Sequence, residues 1–255
     1  MARADGSSPT ADRAFADLHC HTRASFDCLS SPRDVVRAAH GRGLTHLAIT
    51  DHERIDGALE ARELAREVAP GLTVIVGEEV RSREGDLICL FLEEAVPRGL
   101  SAAETIAAVR EQGGLVGIPH PFDRYRGSLL RDATMAALAP LVDWIEVHNA
   151  RVMFGDGNER AAAFAREHGL PGIAVSDAHS TVEVGVAYTS LDGSGEFDLS
   201  TAAGLRRALP AAEIIPGRAT YFVRLATPLA KGVHRLRGHR RPAAVGARGA
   251  GEAHP

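Results

Sequence analysis

DLHCHT, residues 17–22, follows a short apolar segment that begins at Phe15, and this stretch decides how the rest of the chain is interpreted. Side chains alternate along an extended strand, so His19 and His21 point to one side and Cys20 points away from it. Imidazole is the commonest metal-ligating side chain and suits several divalent ions. The stretch predicts a first strand that delivers two metal ligands, provided that later strands deliver more.

Length and composition set the class of protein. The 255 residues fit one large domain or two small ones, and single α/β barrels often have this length. Charged residues make up 24%, and the net charge of −4 gives no reason to expect a nucleic-acid-binding face. The chain shows neither a secretory signal nor an apolar run of the ~20 residues that a membrane span needs. The three cysteines, Cys20, Cys28 and Cys89, do not have the spacing of metal ligands, and their odd number indicates a reducing compartment. We therefore expect a cytoplasmic protein without a membrane partner.

Apolar segments alternate with segments of helical pattern along most of the chain. The predicted strands cover residues 15–19, 44–50, 72–77, 86–92, 115–118, 142–147, 172–176 and 186–191. Helices between them begin at capping residues such as Ser31 and Ser101. This alternation predicts an α/β fold with mainly parallel strands over residues 14–230. We expect a disordered leader at 1–13 and a disordered tail at 231–255, which is rich in Arg, Gly, Ala and Pro.

The ends of the predicted strands test the first motif, because functional groups of parallel α/β folds cluster there. Six strand ends in succession carry His, Asp or Glu. After the first motif they read TDH at 50–52, GEE at 77–79, PHP at 119–121, EVHN at 146–149 and SDAH at 176–179. One such residue alone is more often structural, but six together are improbable as coincidence. The pattern therefore predicts one cluster of metal ligands.

This series of motifs resembles the PHP (polymerase and histidinol phosphatase) family, and the resemblance covers about residues 15–188. DLHCHT, AITDH, GEEV, IPHP, EVHN and SDAH occur in the family's order. The resemblance implies a distorted seven-stranded (β/α)7 TIM-like barrel with two or three divalent metal ions, Zn, Mn, Fe or Mg, at its carboxyl mouth. Within the family the chain is most similar to the TrpH-like branch.

The resemblance also implies the metal ligands. They are His19, His21, Asp27, His52, Glu79, His120, Asn149, Asp177 and His179. Glu79 is chosen over Glu78 because the family usually has Gly-x-Glu at this point. Asn149 is a departure, since many members have His there and an amide oxygen is a weaker ligand. Whether Asn149 binds metal, and whether three ions are held, stays open.

Three further residues are expected to act at this site. Asp51 is expected to orient ligands, and Arg23 and Arg151, which directly follow ligand motifs, are expected to bind phosphate. The implied activity is hydrolysis of phosphomonoesters, of nucleotide or short oligonucleotide type, by metal-activated water. The expected partner is a small phosphorylated substrate, such as a nucleotide or short RNA, without a stable nucleic-acid complex. The sequence does not predict an oligomeric state.

Three alternatives remain open. The first is a histidinol-phosphate phosphatase, which would share the ligand set. The second is a non-catalytic metal-binding PHP module, against which the nearly complete ligand set argues. The third is a C–N hydrolase of the amidohydrolase type, which usually has a metal-bridging lysine. The only lysine here, Lys231, is expected to lie outside the barrel.

Overall fold

The structure is a computed structural model, and it describes residues 13–123, 130, 132–152, 155–219 and 226–238. Within these ranges the strands are β1 Arg13–Asp17, β2 His46–Ile49, β3 Thr73–Arg81, β4 Asp86–Leu90, β5 Leu115–Ile118, β6 Trp144–Asn149, β7 Gly172–Val175, β8 Tyr188–Asp192 and β9 Glu213–Ile215. The α-helices in the same ranges are α1 Pro32–Gly41, α2 Asp56–Val68, α3 Ala102–Glu111, α4 Asp132–Leu138, α5 Gly157–His168, α6 Ala202–Ala208 and α7 Ala226–Leu236.

The predicted helix starts are confirmed by their caps. At α1, Asp34 N donates to the Ser31 side chain, and a proline occupies the first turn. At α3, Glu104 N donates to Ser101 Oγ at 3.2 Å and Ser101 N donates to Glu104 Oε2 at 2.7 Å, which completes a capping box. These bonds satisfy backbone donors that the first helical turn leaves unpaired. Helices α1 and α3 therefore begin where the local sequence predicts, whereas α2 and α5 begin without a side-chain cap.

The strands form one mixed sheet in the order β7-β6-β5-β4-β3-β2-β1-β8-β9. The described residues thus contain nine strands, rather than the seven of the barrel that the family resemblance implies. Strands β1 to β3 are parallel, as are β5 to β7, but β4 is antiparallel to both of its neighbours. Only residues 82–85 connect β3 to β4, and so short a connection permits a hairpin but no parallel crossover. The α/β class is confirmed, with this hairpin as the main departure from parallel order.

The sheet curls into a nearly closed barrel. Near the gap between β7 and β8, Thr189 Oγ1 accepts from Ala174 N at 3.0 Å and donates to Ala174 O at 2.9 Å. Just beyond the ends of β1 and β7, His21 N donates to Ala178 O at 2.9 Å. These contacts bring the segments after β1 and β7, the first and last of the predicted ligand segments, next to each other.

A buried carboxylate, Asp17, reinforces this closure. It accepts hydrogen bonds from Ser176 N at 3.0 Å, Ser176 Oγ at 2.5 Å and Gly185 N at 2.9 Å. Burial raises its pKa to about 6, although these hydrogen bonds oppose the shift. The first residue of the DLHCHT stretch therefore joins the two ends of the barrel.

The barrel interior is filled by an apolar cluster that includes Leu18, Ile75, Ile88 and Trp144. Trp144 is fully buried, and a Cβ at Gly117 would lie 2.1 Å from its ring, so only glycine leaves room for it there. Cys20 packs in the other core cluster, which confirms that it faces away from the two histidines. The interior is a packed floor beneath the mouth of the barrel.

Helix α7 continues to Leu236 and so runs past residue 231, where the sequence suggested a disordered tail. Ala230 and His234, four residues apart, form a buried face, and His234 Nε2 lies 2.8 Å from Cys28 O. Lys231 Nζ lies 4.0 Å from Asp27 Oδ2, so this lysine stands at the barrel mouth. Residues 1–12 of the predicted leader and 239–255 of the predicted tail lie outside the described residues.

Among the helices within the described ranges, none has the length and apolar character needed to cross a bilayer.

Candidate metal centre

The predicted ligands converge at the mouth of the barrel. All of them are buried, with exposed fractions of 7% or less. Six of them directly follow strands β1, β2, β5 and β7. Glu79 lies in β3, Asn149 lies in β6, and Asp27 lies in the loop between β1 and α1. The nine residues are His19, His21, Asp27, His52, Glu79, His120, Asn149, Asp177 and His179. Parallel strand order explains why residues far apart in sequence meet here.

One part of the mouth is rich in imidazole. Ligand atoms of His21, His52 and His179 all lie within 4.8 Å of one another. Asp27 Oδ2 lies 3.4 Å from His52 Nε2 and 3.3 Å from His179 Nε2. We call these four residues the histidine side. Their arrangement offers three nitrogen donors and one carboxylate to a single ion.

At the centre of the mouth, the two histidines of the first motif face two carboxylates. The Nε2 atoms of His19 and His21 are 3.1 Å apart. Asp177 Oδ1 lies 3.6 Å from the first of these nitrogens and 3.5 Å from the second. Glu79 Oε2 lies 3.4 Å from both. Two nitrogens and two carboxylate oxygens therefore point at one small volume, as they do around a bound cation.

The opposite part of the mouth is rich in carboxylate. Ligand atoms of Glu79, Asp86 and His120 lie within 4.8 Å of one another, and we call these three residues the carboxylate side. His120 Nε2 lies 3.3 Å from Glu79 Oε1. Asp86, 2% exposed, was not among the predicted site residues. The prediction considered the ends of parallel strands, whereas Asp86 is the first residue of the antiparallel β4 and reaches the same mouth. The short Gly-containing connection 82–85 was the sequence pattern that pointed to this hairpin.

The residues fit divalent metal ions. Asp27 Oδ1, Glu79 Oε2 and His120 Nδ1 are buried and have no hydrogen-bond partner within the part of the chain that the structure describes. Unpaired buried polar atoms are costly, and coordination to a cation removes that cost. Imidazole nitrogens and carboxylate oxygens without thiolate suit Zn, Mn or Fe(II). The described residues therefore form a cluster with the composition and the unmet bonding capacity of a metal centre.

Protonation of several groups also favours metal binding. Burial lowers the pKa of His179 to about 3, with Arg151 adding to the shift, and burial lowers the pKa of His21. These imidazoles are neutral near pH 7, the form that coordinates metal. Burial opposes ionisation of Glu79, but the neighbouring histidines, His52 first among them, hold its pKa well below its usual range. At His21, His179 and Glu79 the site therefore presents lone pairs or negative charge near pH 7.

Hydrogen bonds from the protein orient the imidazoles. His19 Nδ1 lies 2.7 Å from Glu146 Oε1, and His21 Nδ1 lies 3.1 Å from Ser25 Oγ. In both cases Nδ1 contacts the protein and Nε2 faces the cluster. Burial disfavours the imidazolium form of His19, but Asp177 and Glu146 outweigh it and raise its pKa well above the usual value. The orienting role of Glu146 was not predicted, although its position three residues before Asn149 was noted as a strand end.

Asn149 turns its amide nitrogen toward the cluster. Nδ2 donates to Glu146 Oε2 at 2.9 Å and to Asp177 Oδ2 at 3.1 Å. Its Oδ1 accepts from Arg151 N at 2.9 Å. An amide nitrogen carries protons and is no metal ligand, so this orientation argues against coordination by Asn149.

Asp51 fits its predicted orienting role. Its carboxylate accepts from Thr22 N and Thr22 Oγ1, both at 2.6 Å, and thereby fixes the segment that carries the first two histidines. A Cβ at Gly57 would lie 2.1 Å from Asp51 Oδ2, so a glycine is needed for this close approach. These contacts agree with an orienting role for Asp51, which stays a prediction.

The two predicted arginines occupy different environments. The Arg23 side chain is 54% exposed and pairs with Glu60 at 3.1 Å, outside the cluster. The Arg151 side chain is buried, with Nη1 3.1 Å from Glu183 Oε1 and Nη2 donating to Thr227 Oγ1 at 2.9 Å. Glu183 in turn accepts from His179 N at 3.1 Å, so Arg151 supports the segment that carries a ligand.

Comparison with known proteins agrees with this geometry. The model of the PHP domain matches residues 17–121, and the PHP-associated model matches residues 155–214. Two uncharacterized proteins of Methanocaldococcus jannaschii are similar. MJ1587 is 41% identical over 117 residues, which cover 42% of this chain and 67% of the relative. MJ0417 is 31% identical over 175 residues, which cover 68% of each. A 5'-3' exoribonuclease of Haemophilus influenzae is 33% identical over 119 residues, or 42% of each chain.

Solved structures share the fold. A two-domain protein of Bacteroides vulgatus, described as containing a predicted PHP-like metal-dependent phosphoesterase, has a TM-score of 0.66 at 20% identity. The match covers 80% of this chain and 65% of that one. The lesion-specific endonuclease PfuEndoQ of Pyrococcus furiosus has a TM-score of 0.57 at 19% identity, over 79% of this chain and 57% of that one. With the fold, the order of the motifs and the sequence relatives in agreement, the chain belongs to the PHP family.

Proposed function

We propose that this chain hydrolyses phosphomonoesters, of nucleotide or short oligonucleotide type, in a reaction that depends on divalent metal ions. Membership of the PHP family supports a metal-dependent phosphoesterase or nuclease-like function. The observation that carries the proposal is the buried convergence of imidazoles and carboxylates at one barrel mouth, around Glu79. Buried polar atoms without hydrogen-bond partners in that cluster favour metal binding over a purely structural network.

The roles of the residues follow from their contacts. When bound, clustered divalent ions polarise a water molecule and neutralise charge on the phosphate and the leaving oxygen. His21 and His179, neutral because of burial, would hold such ions on the histidine side. Glu79 contacts both sides of the mouth and would be shared between them. Glu146 and Asp51 keep the first-motif histidines aimed at the cluster.

A cavity near the segments of the first two ligand motifs favours a substrate with a further phosphate. It has a volume of about 260 Å³, and it is lined by three arginines and two carboxylates: Arg23, which pairs with Glu60, Arg54, which pairs with Asp56, and Arg237. Arg23 and Arg54 lie two residues after His21 and His52, so the cavity adjoins the ligand segments. Arginine binds phosphate well, because its fork of donors matches phosphate geometry. We infer that Arg23 binds a phosphate remote from the metal cluster. The exoribonuclease named above, as a sequence relative, favours an oligonucleotide-type substrate.

The proposal is tested with metal-loaded protein and a substrate panel of 3′,5′-bisphosphonucleotides, short RNA and histidinol phosphate. We expect release of phosphate or nucleotide from the first two classes, and loss of that activity together with bound metal in His19→Ala. His40→Ala is the matched control, because His40 is an exposed histidine in the last turn of α1. Unchanged hydrolysis in His19→Ala would contradict the proposal. Preference for histidinol phosphate would identify the alternative phosphatase, and folded, metal-loaded protein without hydrolysis would identify a binding module.

A further inference from the structure

We propose that Asp86 is a metal ligand on the carboxylate side. Together with Glu79 and His120 it completes a site to which the Asn149 amide does not contribute a ligand. The inference rests on the metal-binding part of the proposed function. It goes beyond that function because it assigns a ligand to the antiparallel β4.

The β3–β4 hairpin fixes the direction of the Asp86 side chain. Glu79 pairs with Ile88, and Arg81 pairs with Asp86. Side chains alternate along β4, so Asp86 and Ile88 face the same side. Ile88 packs in the barrel interior, whereas Leu87 packs in the outer core cluster. Asp86 is therefore the next inward-facing position of β4 toward the mouth.

The distances are those of a ligand set. Ligand atoms of Glu79, Asp86 and His120 lie within 4.8 Å of one another. Metal bonds to nitrogen and carboxylate oxygen are about 2.0–2.2 Å long, so two ligands of one ion lie at most roughly 4.4 Å apart. Small side-chain shifts are enough to close the remaining difference. Two carboxylates also match the charge of a divalent ion.

The contacts of Glu79 and His120 leave bonding capacity for a ligand. Glu79 Oε1 lies 3.3 Å from His120 Nε2, whereas Oε2 faces the histidines of the first motif. Among the described residues, His120 Nδ1 has no hydrogen-bond partner, and His120 is only 1% exposed. A cation bound by these side chains and the buried Asp86 carboxylate would compensate for their removal from bulk water.

Asn149 does not supply the third ligand, because its hydrogen bonds fix the orientation of the amide. Turning the amide around would set its oxygen against the carboxylates of Glu146 and Asp177 and its NH2 group against Arg151 N. That orientation would lose all three hydrogen bonds. The oxygen stays on the backbone of residue 151, whereas Asp86 places a carboxylate ligand atom within 4.8 Å of those of Glu79 and His120.

The test compares metal binding by the unsubstituted chain, Asp86→Asn and Glu78→Gln. Each protein is stripped of metal, reloaded with Mn²⁺, and assayed for bound metal per chain and for the dissociation constant of each ion. We expect Asp86→Asn to bind its weakest ion at least about 10-fold less tightly, because even loss of a residue that only supports a ligand costs this much. Glu78 is the matched control, because it is a buried carboxylate one residue before Glu79 that instead accepts from Val96 N at 2.9 Å. Glu78→Gln should bind as many ions as the unsubstituted chain.

A second measurement does not depend on how the variant folds. Crystals of the unsubstituted chain soaked in Mn²⁺ should show an anomalous peak bonded to Asp86, Glu79 and His120. An ion bonded to Glu79 and His120 but not to Asp86, or Asp86→Asn with all ions bound at unchanged affinity, would overturn the inference and leave the proposed function standing. An unsubstituted chain that binds no metal would overturn both. Full metal binding without hydrolysis would contradict the proposed function alone.

Discussion

The histidine side and the carboxylate side share one barrel mouth but differ in composition and origin. The histidine side has three imidazoles and one carboxylate, from segments that follow parallel strands. The carboxylate side has two carboxylates and one imidazole, and one of its residues begins an antiparallel strand. Imidazole suits Zn and Fe, whereas carboxylate suits Mn and Mg. One barrel mouth can therefore offer two ions unlike environments.

Glu79 is where the two sides meet. Its Oε2 lies 3.2 Å from His52 Nδ1, and its Oε1 lies 3.3 Å from His120 Nε2. It belongs to β3, which pairs with parallel β2 on one edge and antiparallel β4 on the other. The position of this strand in the sheet makes one carboxylate common to both environments.

The largest effect is expected from Glu79→Gln. The substitution removes a charge that both sides share, so metal affinity should fall by at least about 100-fold on both, with activity falling in parallel. Metal content and hydrolysis are measured together, with Glu78→Gln as the control on the opposite face of β3. Retention of either ion at full affinity would show that the two sides do not share this ligand.

His179→Ala should separate the two sides. It removes a nitrogen donor of the histidine side, so Zn²⁺ affinity there should fall by about 10–100-fold or more while Mn²⁺ binding by the carboxylate side persists. The measurement is competitive loading with Zn²⁺ and Mn²⁺ followed by metal analysis, and His168→Ala, at the end of α5, serves as control. Equal loss of both metals would mean that the mouth binds its ions as one cooperative unit.

Glu146→Gln should weaken binding without removing a ligand. The carboxylate contacts His19 Nδ1 and accepts a hydrogen bond from His120 N. Its loss should therefore misalign His19 and His120 but leave His52 and His179 in place. We expect metal affinity to fall by roughly 10-fold, the lower end of effects from residues that support a ligand, because glutamine keeps one acceptor. Metal titration checks this. A larger effect on the histidine side than on the carboxylate side would contradict it.

The smallest effect is expected far from both sides. Ser101→Ala removes the cap of α3 and should lower the free energy of unfolding by about 1 kcal/mol. Chemical denaturation of the metal-free chain measures the change, and Ser101→Asp, which keeps a capping oxygen, should recover most of it. Metal content should be unchanged on both sides, and a changed metal content would show that α3 influences the mouth.

Local sequence was a good guide to the ligands that follow parallel strands. Two histidines with one residue between them, a TDH and an SDAH each end a strand, and their side chains meet as predicted. The same reasoning missed Asp86, because it considered only the carboxyl ends of strands. Arg23, expected to bind phosphate because it follows the first motif, pairs with Glu60 at the surface, and its phosphate-binding role stays a prediction.

The α/β class and the caps of α1 and α3 could be predicted from the sequence, because they depend on periodicity and on residues within a few positions of each other. The set of metal ligands came from the resemblance to the PHP family and stays a prediction. The closure of β1 against β7 through Asp17 and the amide orientation of Asn149, in contrast, could be learned only from the folded structure. Each of these depends on hydrogen bonds between segments brought together by folding. Which ligands form which side of the mouth is therefore a property of the closed barrel.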